Sequence, residues 1–188
     1  MIISKTPLRV SFFGGGSDIK GYYSRGVAGL VINTAINKYV YVMVNRRTDD
    51  AIRVNYSKSE TVENVEEVDH DIIREALKLT GITKGIEVNY CGDIPVGRAG
   101  TGLGSSSALA VGVLNALHAL KKDIISSEQL AKEACQIEID VLKRPIGKQD
   151  QYATAFGGFN LMKFFPDGEV FVYPISLREN TERQLQDN

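Results

Sequence analysis

Residues 94–110 read IPVGRAGTGLGSSSALA. Four glycines fall between Gly97 and Gly104, and three serines, Ser105, Ser106 and Ser107, follow directly. Leu109, Val113, Leu117 and Leu120 then recur at helical spacing, so the run opens into an amphipathic helix over Ala108 to Leu120. Glycine lets the backbone take positive φ and approach a ligand closely. A glycine run that ends at a helix start gathers free N–H groups and the positive end of the helix dipole, which favours an anion. The segment therefore reads as a phosphate cradle, against the plainer alternative of a surface loop with a serine-capped helix. Rival motifs fail on single residues. Gly97 and Gly102 have P-loop spacing, but Leu103 stands where lysine is needed. Gly102-Leu103-Gly104 is followed by serines and not by the last glycine of a dinucleotide fingerprint, and no G-x-S-x-G elbow occurs.

Upstream, the chain reads mostly as strands. Leu8, Val10 and Phe12 alternate with Arg9, Ser11 and Phe13, a half-buried strand with Arg9 and Ser11 on one face, stopped by Gly14-Gly15-Gly16. A helical turn over Asp18 to Tyr23 is expected next, then β-rich runs Gly29 to Ile36 and Tyr39 to Asn45 joined through Asn37-Lys38, and a strand over Ala51 to Tyr56. Asp69 to Leu79 forms an amphipathic helix ended by Gly81, and Gly85 to Tyr90 a strand. Downstream, Ser126 or Ser127 caps a helix running to about Leu142, and Asp150 to Ala155 forms a helical turn. Phe159 to Phe164 and Glu169 to Tyr173 flank a Pro166-Asp167-Gly168 turn as a hairpin. Strands first, then strands and helices mixed, give an α+β class.

Composition narrows the chemistry. A net charge of −1 over 188 residues offers no basic field for nucleic acid or an anionic membrane. No apolar run approaches a membrane span, and Met1 to Lys5 has no signal-peptide pattern. The two cysteines, Cys91 and Cys135, lie outside any CxxC and suit a reducing, cytoplasmic compartment, both as buried small hydrophobes. Two histidines cannot build a conventional His-rich metal site, and His118 reads as a satisfied helix residue.

Two further segments carry polar residues of interest. PLRVSFFGGGSD, residues 7–18, places the cation Arg9 and the carboxylate Asp18 on either side of a glycine break. EIDVLKRPIGKQDQYATAFGG, residues 138–158, carries Glu138 on a helix and Asp150 after a Pro-Ile-Gly-Lys-Gln connection. Taken alone, Glu138 reads as a solvated helix residue and Asp150 as an N-cap. Phosphoryl transfer needs a phosphate site, a carboxylate near a divalent ion and a group that positions the attacking hydroxyl.

Together the three segments resemble the GHMP kinases. PLRVSFFGGGSD is similar to the first motif of that family, GTGLGSSSA to its nucleotide-binding motif and PIGKQDQYATAFGG to the segment bearing its catalytic aspartate. The wording of the first and third is similar to the heptose kinase branch. The resemblance implies the fold that GHMP kinases share with a ribosomal small-subunit protein, a mixed sheet with helices on one face. It implies an ATP- and Mg²⁺-dependent kinase acting on the anomeric hydroxyl of D-glycero-D-manno-heptose 7-phosphate. Another GHMP sugar kinase of fucose or galactose type, or a kinase-derived sensor, remains the alternative, and a homodimer is left open. By the same resemblance Asp150 is the base or anchor for the acceptor hydroxyl, with Arg9 holding it ionised and offsetting phosphoryl charge. Gly102, Leu103, Gly104, Ser105, Ser106 and Ser107 cradle the triphosphate, Ser106 and Glu138 are the Mg²⁺ ligands, and Asp18 with Ser17 binds sugar hydroxyls. Residues 1–176 would be the N-terminal ATP-binding domain, and 177–188 a polar tail where the family's C-terminal domain begins. Arg98-Ala99-Gly100 looks inserted relative to the family, and Lys143 stands where a glycine is expected.

Overall fold

A computed structural model describes residues 1–94, 102–178 and 181. The inserted-looking Arg98-Ala99-Gly100 and most of the polar tail lie outside the described residues. The chain builds one mixed sheet of strands β1 (Ile2–Phe13), β2 (Gly29–Arg46), β3 (Ile52–Asn55), β4 (Ser59–Val62), β5 (Ile86–Gly92), β6 (Phe159–Phe164) and β7 (Val170–Pro174). The helices are α1 (Lys20–Tyr23), α2 (Asp71–Thr80), α3 (Ser105–Lys121), α4 (Ser127–Cys135) and α5 (Gln149–Phe156).

The strand order is β4-β3-β5-β2-β6-β7, and β1 pairs with the other edge of β2. The two runs expected at Gly29 and Tyr39 are a single 18-residue strand. Asn37-Lys38 is an irregularity inside it: Pro7 pairs with Tyr39 while Leu8 pairs with Ile36, so two residues of β2 have no partner in β1. At the same point the opposite edge changes partner. β5 pairs with Val40 to Arg46 and β6 with Gly29 to Thr34. A second irregularity leaves Phe12 of β1 without a partner, and the alternation expected of β1 fails. Leu8 and Arg9 are both buried, whereas Phe12 and Phe13 are exposed.

Alternating residues of the central strands, Val40, Val42, Val44, Ile52, Val54, Ile86 and Val88, are fully buried on the helix-bearing face. Helix α3 crosses that face and is buried almost all round, as its continuous apolar sequence requires. Gly112 lets it approach β1. A Cβ there would lie 2.9 Å from Thr6 Oγ1, and Ser4 Oγ donates to the Gly112 carbonyl at 2.7 Å. Helix α2 ends as expected at Gly81, whose φ of 71° closes the last turn. Ser126 caps α4 by accepting from Gln129 N. A second apolar cluster, with Tyr23, Cys135, Tyr152, Met162 and Phe164, packs α4 and α5 on β6. Cys91, expected buried, is exposed at the end of β5. His118 is satisfied, with Asp123 3.0 Å from Nδ1 and Glu133 2.8 Å from Nε2. No described helix is long and apolar enough to cross a membrane.

The helix expected to reach Leu142 does so, but beyond α4 it widens into a π-helix over Gln136–Val141. The Leu142 N–H reaches back to Ile137 O, and the turn sets Glu138 inward with no exposure while Val141 faces solvent. Such single π turns recur at functional positions.

Candidate active site

The site forms where β1, the N-terminus of α3, the π turn and the N-terminus of α5 meet. Arg9 is 8% exposed and lies on β1. Its Nε and Nη2 donate to Asp150 Oδ1 and Oδ2 at 2.8 and 2.5 Å, a bidentate pair. Its Nη1 donates to Gly102 O, and its backbone N–H to Leu103 O at 3.1 Å. One arginine therefore holds both the aspartate and the glycine loop. Gly104 has φ of 73°, and a Cβ there would meet Arg9 Cγ at 3.3 Å and Asp150 Oδ2 at 3.4 Å. Its conformation and its contacts both suit glycine.

Gly104 is also the N-cap of α3 and supplies no capping side chain. Ser105, Ser106 and Ser107 are the first three helical residues, and helix geometry leaves their N–H groups without intrahelical partners. They lie beside the Arg9–Asp150 pair through Gly104. The serine hydroxyls divide their roles. Ser106 Oγ and Ser107 Oγ each donate to Glu138, at 2.6 Å to Oε1 and 2.6 Å to Oε2. Glu138, which alone reads as a solvated helix residue, is instead fully buried, and Gln151 Nε2 and Arg144 Nη1 complete its shell at 2.7 and 3.0 Å.

The electrostatics of Asp150 differ from the expectation that Arg9 dominates. Burial pushes its carboxyl above the ordinary value, Arg9 pulls it down, and the Asp18 and Glu138 charges push it up again, with a net rise. A raised carboxyl is a stronger proton acceptor than an ordinary aspartate once ionised.

Ser17 and Asp18 hold the glycine turn. Ser17 Oγ donates to Gly14 O at 2.7 Å and accepts from Leu30 N at 3.0 Å. Asp18 is 2% exposed, and it accepts from Gly16 N and from Gln149 N, both at 3.0 Å. Asp18 thus caps the start of α5, the position left to Asp150 in the plainer sequence reading. Gly147 makes room for it, since a Cβ there would fall 1.9 Å from Asp18 Oδ2.

Three site residues, Arg144, Gln149 and Gln151, were not singled out from the sequence. Ser11 Oγ donates to Gln149 Oε1 at 2.6 Å, so β1 is tied to α5 by two successive pairs. Arg144 bridges Ser106, Glu138 and Asp71. Gln151 is fully buried against Glu138, and its Oε1 has no hydrogen-bond partner among the described residues. Their signal was their position within residues 144–151, but nothing in that segment indicates which elements they meet. Lys143, placed where a glycine is expected, adopts φ of 53°.

Ser106 Oγ and Glu138 Oε1 form a hard-oxygen pair already in contact with a positive group, Arg144 Nη1. A small hard cation such as Mg²⁺ fits that donor set. Among the described residues no group of three or more His, Cys, Asp or Glu could hold a metal, so such an ion would draw its other ligands from phosphate oxygens and water. A groove of about 980 Å³, lined by Phe12, Ile36, Phe159 and Leu177 among others, opens beyond the end of β1 and includes none of these charged residues.

Residues 55–158 match the model of the GHMP kinases N terminal domain, which covers more than half of the chain. The chain belongs to the GHMP kinase family. It is 32% identical over 98% of its length to a D-glycero-alpha-D-manno-heptose 7-phosphate kinase of Campylobacter jejuni, of which it spans 57%. It is 28% identical over 84% of its length to a mevalonate kinase of Archaeoglobus fulgidus, spanning 51% of that protein. Its structure superposes with a TM-score of 0.87 and 30% identity on a D-glycero-D-manno-heptose 1-phosphate kinase from Bacteroides thetaiotaomicron, covering 100% of this chain and 62% of that one. The chain therefore spans a little more than half the length of these relatives.

Proposed function

We propose that this chain carries the ATP site and catalytic aspartate of a kinase that phosphorylates a sugar hydroxyl, with D-glycero-D-manno-heptose 7-phosphate as acceptor at its anomeric hydroxyl. The observation that carries the reading is the Arg9–Asp150 pair seated against the open N-terminus of α3. A phosphate held on the Ser105, Ser106 and Ser107 amides would lie beside the carboxylate that orients the attacking oxygen.

In this account the amides of residues 102–107 bind the triphosphate. Asp150 accepts the proton of the acceptor hydroxyl as its oxygen bonds to the γ-phosphorus and the bond to the β-phosphate oxygen breaks, releasing ADP. Arg9 orients Asp150 and offsets charge on the transferred group. Ser106 and Glu138 would hold Mg²⁺, which neutralises phosphate charge when bound. Ser17 and Asp18 border the acceptor side. They would bind the sugar hydroxyls, held in place by Gly14 and Leu30 for Ser17 and by Gly16 and Gln149 for Asp18. Residues 1–176 form the ATP-binding domain in this reading. The unpaired cysteines support a cytoplasmic setting. Assembly as a homodimer is carried as an alternative to the monomer, which light scattering decides.

The heptose acceptor is supported by the two heptose kinase relatives. The test is ATP turnover by the full-length protein with a panel of sugars and sugar phosphates. Heptose 7-phosphate should exceed unphosphorylated heptose and galactose by roughly ten- to a hundredfold in kcat/KM, the worth of a charge-assisted contact. A preference for galactose or fucose would leave the kinase class and overturn the acceptor. ATP binding without turnover of any sugar would favour the sensor.

A further inference from the structure

Every hydrogen-bonding position of Glu138 is filled by the protein. Oε1 accepts from Ser106 Oγ and Arg144 Nη1, and Oε2 from Ser107 Oγ and Gln151 Nε2. Three of these donors are neutral. The fourth is a guanidinium whose Nη1 touches both Glu138 Oε1 and Ser106 Oγ, the two oxygens assigned above to a divalent ion. Two cations cannot share that oxygen pair inside the fold, because close like charges repel strongly where water is scarce. A hydroxyl can rotate and offer a lone pair in place of its proton. A guanidinium has only donors, so it has to leave.

Arg144 has a place to go. Its Nη2 already donates to Asp71 Oδ2 at 2.9 Å, at the first residue of α2. The Arg144 and Asp71 side chains are 28% and 41% exposed, so packing does not trap the guanidinium on Glu138. Lys143, in the left-handed conformation, turns the chain just before it.

We propose that Arg144 is the resident counter-cation of Glu138, displaced from the Ser106–Glu138 oxygens by a divalent ion and retained by Asp71 when it moves. This rests on the reading of Ser106 and Glu138 as ligands of that ion. It makes metal affinity the result of an exchange between two cations, and it links the ion to the N-terminus of α2. Arg144 is a positioning residue in this scheme, since it touches the ligands of the ion and not the reacting atoms.

The experiment measures Mn²⁺ affinity by the electron paramagnetic resonance of the free ion, with the chain saturated by a non-hydrolysable ATP analogue. Arg144→Met should bind Mn²⁺ about tenfold more tightly than the parent, the lower end of what a hydrogen bond to a charged group is worth. Asp71→Asn should bind it a few-fold more weakly in the parent and equally well in the Arg144→Met background, because the aspartate acts only through the arginine. Unchanged or weakened binding in Arg144→Met overturns the proposal, as does an equal effect of Asp71→Asn in both backgrounds, which would mean simple through-space attraction. Glu138→Gln separates the two levels. If it leaves parental Mn²⁺ affinity intact, the ion is elsewhere and the metal-ligand reading fails together with the exchange. If it weakens binding while Arg144→Met has no effect, only the exchange fails. Should Arg144→Met not fold, Arg144→Gln, which removes the charge but keeps a hydrogen-bond donor for Glu138, should still tighten Mn²⁺ binding, and no tightening counts against the exchange.

Discussion

Arg9 and Asp150, 141 residues apart in sequence, form a bidentate ion pair with contacts of 2.8 and 2.5 Å. Arg9 opposes the rise that burial imposes on the Asp150 carboxyl. Replacing Arg9 with Met removes that opposition, so the carboxyl should rise further. The base is active when ionised, so activity falls as pH drops through its folded value. The acid limb of kcat/KM against pH should therefore move to higher pH in Arg9→Met. A limb that stays in place would show that another group sets it.

The glycine at 147 is required by contact. A Cβ there would collide with Asp18 Oδ2 at 1.9 Å, and Asp18 caps α5 one residue before Asp150. Gly147→Ala should destabilise the fold by about 1–3 kcal/mol through overpacking and the strained cap. Urea unfolding with tryptophan-free detection by circular dichroism measures it. A change within experimental error would mean that Asp18 moves aside at no cost.

Lys143 provides a prediction of opposite sign. A non-glycine residue at φ 53° carries about 1–2 kcal/mol of conformational cost. Lys143→Gly should recover part of this and raise stability by up to about 1 kcal/mol, after the extra unfolded-state freedom of glycine is offset. A loss of stability would show that the lysine side chain contributes contacts that outweigh the backbone term.

His70, just before α2, is held below its ordinary value of 6.5 chiefly by burial, which outweighs the Asp71 and Glu60 charges. Its ring lies edge-on to Tyr56 and Tyr90, and Nε2 is 3.1 Å from the Tyr90 hydroxyl. The folded state therefore prefers neutral imidazole. Stability attributable to His70 is complete above pH 6.5 and is lost as pH falls from there toward the folded value. His70→Phe should flatten this part of the stability–pH curve between pH 7 and 5. An unchanged slope would assign the loss to other groups.

Much of the architecture was legible in sequence because it rests on local rules. The apolar spacing after Gly104 marked α3, Gly81 stopped α2, and Pro166-Asp167-Gly168 turned β6 into β7. The single long β2 was not legible. Asn37-Lys38 looks like a turn locally, but β1 pairs with Tyr39 and Ile36 on either side of it and carries the strand through, a partner that lies about thirty residues upstream. The site divided in the same way. Arg9, Asp150, Ser106 and Glu138 are recognisable from motif resemblance, and the fold brings them together. The cap that Asp18 gives to α5 and the bridge that Arg144 makes to Asp71 depend on partners 131 and 73 residues away, which no local pattern encodes. The burial of Glu138 follows from a π turn, a local change of winding that helical periodicity does not reveal.

The central claim is that Asp150 serves the acceptor hydroxyl beside a phosphate held on α3. Phosphoryl transfer to heptose 7-phosphate and ATP affinity, measured together on the full-length protein and its Asp150→Asn variant, test it most directly. The account predicts a loss of transfer of about a hundred- to ten-thousandfold with ATP affinity within a few-fold of the parent. Near-normal transfer by Asp150→Asn would contradict it.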